Sequence, residues 1–237
     1  MKSIKTLAVA TGLLALSGVS QAQFSSTWTA VSDYDFRGFT QSSKNPALQA
    51  SADYTVGETG FSYGTWVSNV DFDNDEDLEW DLYANYSGKI NDLLTLTAGA
   101  TYYEYPLGGD TPGYLEAYFG MNIGPVGLKQ WYSSDFYGLG EDAAYSEANY
   151  TIPFGDKFSV ALHAGYSWGH YWESGPGLGA LFDYAVQANY TAGKFTIFAK
   201  FTGTDADDTN GQKVTGDLFN NEPRGLIGVS TTFPWGK

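Results

Sequence analysis

The sequence predicts an all-β protein: a transmembrane antiparallel up-and-down β-barrel of 12 strands behind a cleaved signal peptide. Three observations carry this. Polar and apolar residues alternate with period two in segments of about ten residues, bounded by Gly, Pro, Asn and Asp. Such segments recur twelve times, an even number, as single-chain bacterial outer-membrane barrels require. Their connections alternate between short and long, the pattern of periplasmic turns and external loops.

Residues 1–22 read as the signal peptide. Lys2 and Lys5 give a positive start, 7–19 is a short apolar run, and Ser20-Gln21-Ala22 offers small residues for cleavage near Ala22. Residues 23–237 then form one barrel domain. The full chain has 12 Lys+Arg against 27 Asp+Glu; losing the two leader lysines takes the net charge from -15 to roughly −17. Nucleic acid is an unsuitable partner for that surface, because phosphates need a basic footprint. With no cysteine, an exported chain has neither disulfides nor thiolate metal sites. Beyond the leader no apolar run reaches the roughly 18 residues of a membrane helix, whereas 17% aromatic content and 29 glycines suit membrane-spanning strands.

The segments follow in order. The first, 24–37, ends in Ser32-Asp33-Tyr34-Asp35-Phe36-Arg37-Gly38, where charged and aromatic residues alternate. Segments 46–56 and 61–72 flank the turn 57–60. In 78–87, Leu78, Trp80, Leu82, Ala84 and Tyr86 share one face, and Glu79, Asp81, Tyr83 and Asn85 the other. After the turn 89–92 comes 93–105, and then 114–123, with Leu115, Ala117, Phe119, Met121 and Ile123 on one face. Gly124-Pro125 leads to 126–137, followed by 144–152 and the turn 153–157. Segment 158–169 places Phe158, Val160, Leu162, Ala164, Tyr166 and Trp168 together. Segments 182–190 and 195–204 flank the turn 191–194, and 224–233 closes the series after a connection of about twenty residues.

The placing of the short turns puts both chain ends in the periplasm. A weak repeat, Ala-Asp/Asn-Tyr-Thr/Ser, precedes four of those turns and sets Tyr54, Tyr86, Tyr150 and Tyr190 at that rim. With Phe61, Leu94, Phe158, Phe195 and Phe233 they predict one aromatic girdle. Tyr34, Phe36, Phe72, Tyr102, Phe136, Tyr166 and Trp168 predict the other. A soluble β-sandwich shares the alternation but calls for a core of Leu, Ile and Val, which these aromatic and small-residue faces do not supply.

From SDYDFRG onward the chain resembles the TorF family of porin-like proteins, also grouped as the Gcw_chp family of proteobacterial exported proteins. The resemblance lies in "VSDYDFRGFTQSSKNPALQASADY", "GTWVSNVDF", "DLYANYSG", "YYEYP", "WYSSDFYG" and "ANYTIP", between Val31 and Ile152. It implies an outer-membrane β-barrel and a pore, and supplies neither substrate nor functional residues. Family members tend to end on an aromatic in the last strand. Here Phe233 is followed by Pro234-Trp235-Gly236-Lys237, which leaves Phe233 and Trp235 for the assembly signal.

If the aromatic face meets lipid, the polar face lines the lumen, since a charge facing lipid costs about 2–4 kcal/mol at mid-bilayer. This phase sends Asp33, Asp35, Arg37, Gln49, Asp53, Asn69, Asp71, Glu79, Asp81, Tyr83, Asn85, Glu116, Lys129, Asp135, Glu147, Asn149, Asp183, Gln187 and Lys200 inward. Acids far outnumber bases there, and such a field attracts cations. The opposing reading is a salt-bridged plug in which Arg37, Lys129 and nearby carboxylates hold strands together. Twelve strands at ~4.8 Å and about 40° tilt give a diameter of roughly 24 Å, wide enough for either.

The acidic runs 71–77 and 205–211 offer oxygens for Ca²⁺, but neither keeps an EF-hand register, and solvated loops are the simpler reading, so no metal site or cofactor is assigned. His163 on an inward face and His170 at a loop edge have no serine in a nucleophile-elbow context, and period-two spacing alone accounts for the pairs Asp33/Asp35 and Glu79/Asp81. A barrel-embedded lipid hydrolase or acyltransferase is the least favoured class. The expectation is a non-enzymatic outer-membrane porin-like channel for passive diffusion of small hydrophilic solutes or cations. Its partners are outer-membrane lipid and the barrel assembly machinery. The alternative is a non-conducting structural or receptor-like barrel that binds ligands through its loops.

Overall fold

The computed structural model describes residues 24–72, 76–107, 111–174, 179–205 and 222–235. The expected signal peptide, most of the connection between 205 and 223, and much of both acidic runs lie outside the described residues. The barrel strands are β1 Phe24–Val31, β4 Ala47–Thr55, β5 Phe61–Asn69, β6 Leu78–Lys89, β7 Leu94–Leu107, β8 Tyr114–Ile123 and β9 Val126–Ser133. They continue as β10 Ala143–Phe154, β11 Phe158–Trp168, β12 Leu181–Ala192, β13 Phe195–Thr204 and β14 Arg224–Phe233. Each pairs antiparallel with its sequence neighbour in the wall, and β1 pairs with β14, so the sheet closes and leaves no barrel edge. Two short strands, β2 Asp35–Phe36 and β3 Phe39–Thr40, form a separate hairpin, and a short helix, α1, spans His170–Ser174.

Why the sheet closes with this phase is visible in β6. Trp80, Leu82 and Tyr86 point outward and exposed, while Glu79 and Asp81, alternating with Trp80 and Leu82, are buried inside. A one-residue slip would exchange those faces and put two carboxylates into lipid, so the register is strongly specified. The outer surface carries a belt of exposed Leu, Ile, Val, Phe, Tyr and Trp, as a barrel solvated by acyl chains requires.

The short-turn rim is built as expected. Phe61 packs on Tyr86 at 4.8 Å between ring centroids, Tyr54 on Tyr63 at 5.3 Å, and Phe158 lies opposite Tyr190 in the register. The long-loop rim differs. Tyr102, Tyr166 and Trp168 do face outward, but Tyr34, Phe36, Phe72 and Phe136 turn inward.

Phe36, Phe72 and Phe136 belong to a buried aromatic cap, and Tyr34 to an adjoining cluster with Val31, Ala47, Val70 and Leu226. Phe39, Tyr103, Tyr105, Tyr114, Phe136, Trp172 and Leu181 form the centre of the cap, with Phe36 and Phe72 packed against it. Tyr103 and Tyr114 stack at 4.6 Å, and Phe136 meets Tyr114 edge-on at 4.8 Å. Three expected strands are correspondingly shorter. The segment 24–37 stops at Val31, 61–72 stops at Asn69, and 126–137 stops at Ser133 before a 3-10 turn over Phe136–Gly138. In each case an aromatic gains more burial inside the end of the barrel than on its rim.

Candidate functional site

The site is the lumen, and its key element is the segment 32–46, which leaves the wall after β1 and folds back inside. A two-residue loop, Arg37-Gly38, makes the turn between Phe36 and Phe39, with φ of 51° and 85°. Positive φ at both positions suits the tightest antiparallel hairpin, and Gly38 is needed twice over. A Cβ there would stand 2.9 Å from Asp183 Cβ and 3.0 Å from Thr204 Cβ on the facing wall. Within the segment, Thr40 Oγ1 donates to Asp33 Oδ1 at 2.5 Å, Tyr34 N donates to Ser42 Oγ at 2.9 Å, and Gln41 N donates to Tyr34 O at 2.7 Å.

Three basic residues tie the segment to the wall. Arg224 at the start of β14 donates from Nε to Asp33 Oδ2 at 2.5 Å, from Nη1 to Gly38 O at 2.6 Å, and from Nη2 to Asp35. Lys200 of β13 reaches Asp35 Oδ2 at 2.6 Å, where Thr202 Oγ1 also donates at 3.2 Å. Arg37 makes a bidentate pair with Glu116 of β8, at 3.0 and 2.6 Å, with its guanidinium 4.2 Å from the centre of the Tyr145 ring. Asp33, Asp35 and Arg37 thus point inside from an inserted hairpin rather than from the first strand.

A second network runs along β9 to β12. Tyr145 Oη lies 2.9 Å from His163 Nε2 and donates to Asp183 Oδ1 at 3.2 Å, and His163 Nδ1 faces Asn149 Oδ1 at 2.7 Å. Trp131 Nε1 and Asn149 Nδ2 donate to Glu147 at 2.9 and 3.0 Å, with Lys129 Nζ at 3.9 Å. The hydrogen-bonding neighbours of His163 are therefore Tyr145, Asn149 and Asp183, with no serine among them in the described residues. Near the short-turn end, Asp53 accepts from the Tyr83 hydroxyl and from Ser51 at 2.7 Å.

Glu79 and Asp81 are inward and buried, and no Lys or Arg pairs with either among the described residues. Besides Asp33 and Arg37, two expected wall residues are not in strands. Asp71 lies beyond the end of β5, and Asp135 precedes the 3-10 turn, accepting from Gly140 N at 2.7 Å. Both strands end early because the aromatics beside these acids, Phe72 and Phe136, fold into the cap.

Arg224 is the main residue that sequence reasoning missed. Its signal was present: Ile227 and Val229 face outward and Leu226 is buried, so the phase of 224–233 sends even positions inward. The inward aromatics Tyr103 and Trp131 alternate with outward Tyr102 and Tyr132, and period two alone would have placed them.

Among the described residues, two cavities lie beside the inserted segment. One of about 220 Å³ is lined by Asp35, Phe36, Arg37, Tyr103, Trp131, Tyr145, Glu147, His163, Asp183 and Lys200. The other, about 210 Å³, is lined by Val31, Asp33, Tyr34, Asp35, Gln49, Trp66, Gln187, Phe198, Lys200 and Leu226. Asp35 and Lys200 line both, so this ion pair stands between them.

The model of a family described as a bacterial protein of unknown function (Gcw_chp) matches residues 15–233. Among curated proteins none matches the sequence. Solved structures share the barrel at low identity. A KdgM porin in complex with disordered oligogalacturonate is 10% identical, with TM-score 0.56, covering 88% of this chain and 99% of that one. A NanC porin is 11% identical, with TM-score 0.57, covering 89% and 98%. The architecture, an even-stranded closed barrel with an apolar outer belt and a polar interior, is that of an outer-membrane protein.

Proposed function

The chain belongs to the Gcw_chp family, and on that premise we propose that it is a porin-like outer-membrane channel for small hydrophilic solutes, favouring cations, whose aperture is set by the inserted segment 32–46. The observation that carries this reading is the pair of charged cavities separated by Lys200 and Asp35 inside a barrel of porin architecture. The interior field favours cations because Glu79 and Asp81 have no basic partner among the described residues.

One observation favours the second reading, a non-conducting barrel. Glu116 is 0% exposed although it points into the lumen, so at that level the interior is filled by Arg37 and its neighbours. Conduction then requires the segment to shift.

Purified protein in planar bilayers separates the two. The channel reading expects discrete conductance steps and a reversal potential of cationic sign in a salt gradient. Absence of current in either polarity, for the native chain and for Arg224→Gln, leaves the non-conducting barrel.

A further inference from the structure

We propose that the cavity of about 210 Å³ beside the inserted segment is a binding site for an uncharged, polyhydroxylated solute the size of one sugar ring. As a step in transport the site rests on the channel reading, for which it names a solute class; binding itself is measured without current.

The charges that line this cavity are already paired. Arg224 holds Asp33 and Asp35, and Lys200 holds Asp35. Two acids and two bases sum to zero, so an ionic solute would leave water and meet no free counter-charge. The acids without a basic partner, Glu79 and Asp81, lie outside the lining.

What remains uncommitted is neutral or a donor to spare. Among the described residues, the Gln49 amide and Trp66 Nε1 have no hydrogen-bond partner. Gln187 Nε2 donates to Asn189 Oδ1 at 2.7 Å, which leaves the Gln187 carbonyl oxygen for a donor. Lys200, opposite Gln187 in the register, donates one N–H to Asp35 and keeps two. Such a mixture of donors and acceptors suits hydroxyl groups, each of which does both.

The apolar part of the lining fits the same class. Trp66 on β5 and Phe198 on β13 stand two strands to either side of β1, and both pack against the cluster of Val31, Ala47 and Leu226. Phe198 lies over Gly228, its partner on β14, where a Cβ would collide with the ring. Glycine there lets the ring lie against the wall and keeps the space before it open. An aromatic face is electron-rich and accepts the C–H face of a sugar ring.

The neighbouring cavity lacks such free faces. Arg37 stands over Phe36 at 4.6 Å and over Tyr145 at 4.2 Å, and Lys129 over Trp131 at 4.8 Å. Among the described residues no Lys or Arg covers Trp66 or Phe198. A volume of about 210 Å³ lies below the roughly 300–1,000 Å³ of pockets for drug-sized ligands, so the occupant is one ring rather than a chain.

The test is saturation-transfer NMR on the refolded full barrel in detergent, with three probes of one shape: glucose, protonated glucosamine and glucuronate. Glucose is expected to give a saturable signal on its C–H protons, and each charged sugar to bind roughly tenfold more weakly. Trp66→Leu and Gln49→Leu should each weaken glucose binding by about tenfold. Gln49 bonds nothing else among the described residues, so Gln49→Leu carries the test if Trp66→Leu fails to fold. Glucose binding unchanged in a folded Gln49→Leu barrel overturns the site, and equal binding of the three sugars overturns the uncharged class. Bilayer current recorded in parallel keeps the readings apart: current without glucose binding removes the site and leaves the channel, whereas glucose binding without current leaves the site and removes the channel.

Discussion

Arg37, at the tip of the inserted hairpin, and Glu116, on the opposite wall, form a bidentate ion pair whose side chains are 7% and 0% exposed. Two charges so far from water are held by each other, and the Tyr145 ring covers the guanidinium. The pair fixes how deep the segment sits.

Arg37→Gln should therefore cost about 3–5 kcal/mol of folding free energy, because it leaves Glu116 buried without a counter-charge. Denaturant unfolding of the refolded barrel reads this. Adding Glu116→Gln should recover most of the loss, since both charges are then gone. If the double variant is as unstable as the single one, the pair is not what anchors the segment.

The outward phase makes a sharp claim about lipid. Leu82 is exposed on the outer face of β6, and Leu82→Arg should destabilise by about 2–4 kcal/mol in phospholipid vesicles. Gln187→Arg, facing a cavity inside, should cost much less. Equal penalties would contradict the assigned faces.

His170, in the helix at the long-loop end, sits 2.5 Å from Asp142 Oδ1, and the hydrogen bond to that carboxylate raises its pKa above the ordinary value. A raised folded-state value means that the contact stabilises fully below the unfolded pKa of about 6.5 and is lost as pH rises through the folded one. Being solvent-exposed, the pair contributes little to stability, so the visible outcome is the titration itself. An NMR titration should show the His170 midpoint falling in Asp142→Asn; an unmoved midpoint would place the cause elsewhere.

Period two carried most of the fold. It fixed the wall at β6, β8 and β13 because those strands have lipid on one face and polar space on the other, and two solvents write two alternating alphabets. It failed from Ser32 onward for the same reason. Asp33, Tyr34, Asp35, Phe36 and Arg37 keep the alternation while leaving the wall, because an inserted hairpin also has two unlike faces, one against ion partners and one against the aromatic cap. What marked the departure was Gly38 between Phe36 and Phe39, a turn signal inside an apparent strand. The partners of Asp33 and Asp35 lay 165 residues or more away, at Lys200 and Arg224, and no local pattern encodes such a pairing.

Lys200 gives the most direct probe of the aperture. Its amine and Asp35 separate the two cavities, so removing the amine joins the spaces on either side. Arg224 still holds Asp33 and Asp35 in Lys200→Gln, which keeps the hairpin docked while the partition thins. The channel reading therefore expects larger single-channel conductance and stronger cation preference, because a positive charge has left an acidic path. Stability should fall only modestly, since the Asp35 carboxylate keeps Arg224 and the Thr202 hydroxyl. Unchanged conductance with an intact barrel would show that ions pass elsewhere, and the two cavities would then not be parts of one path.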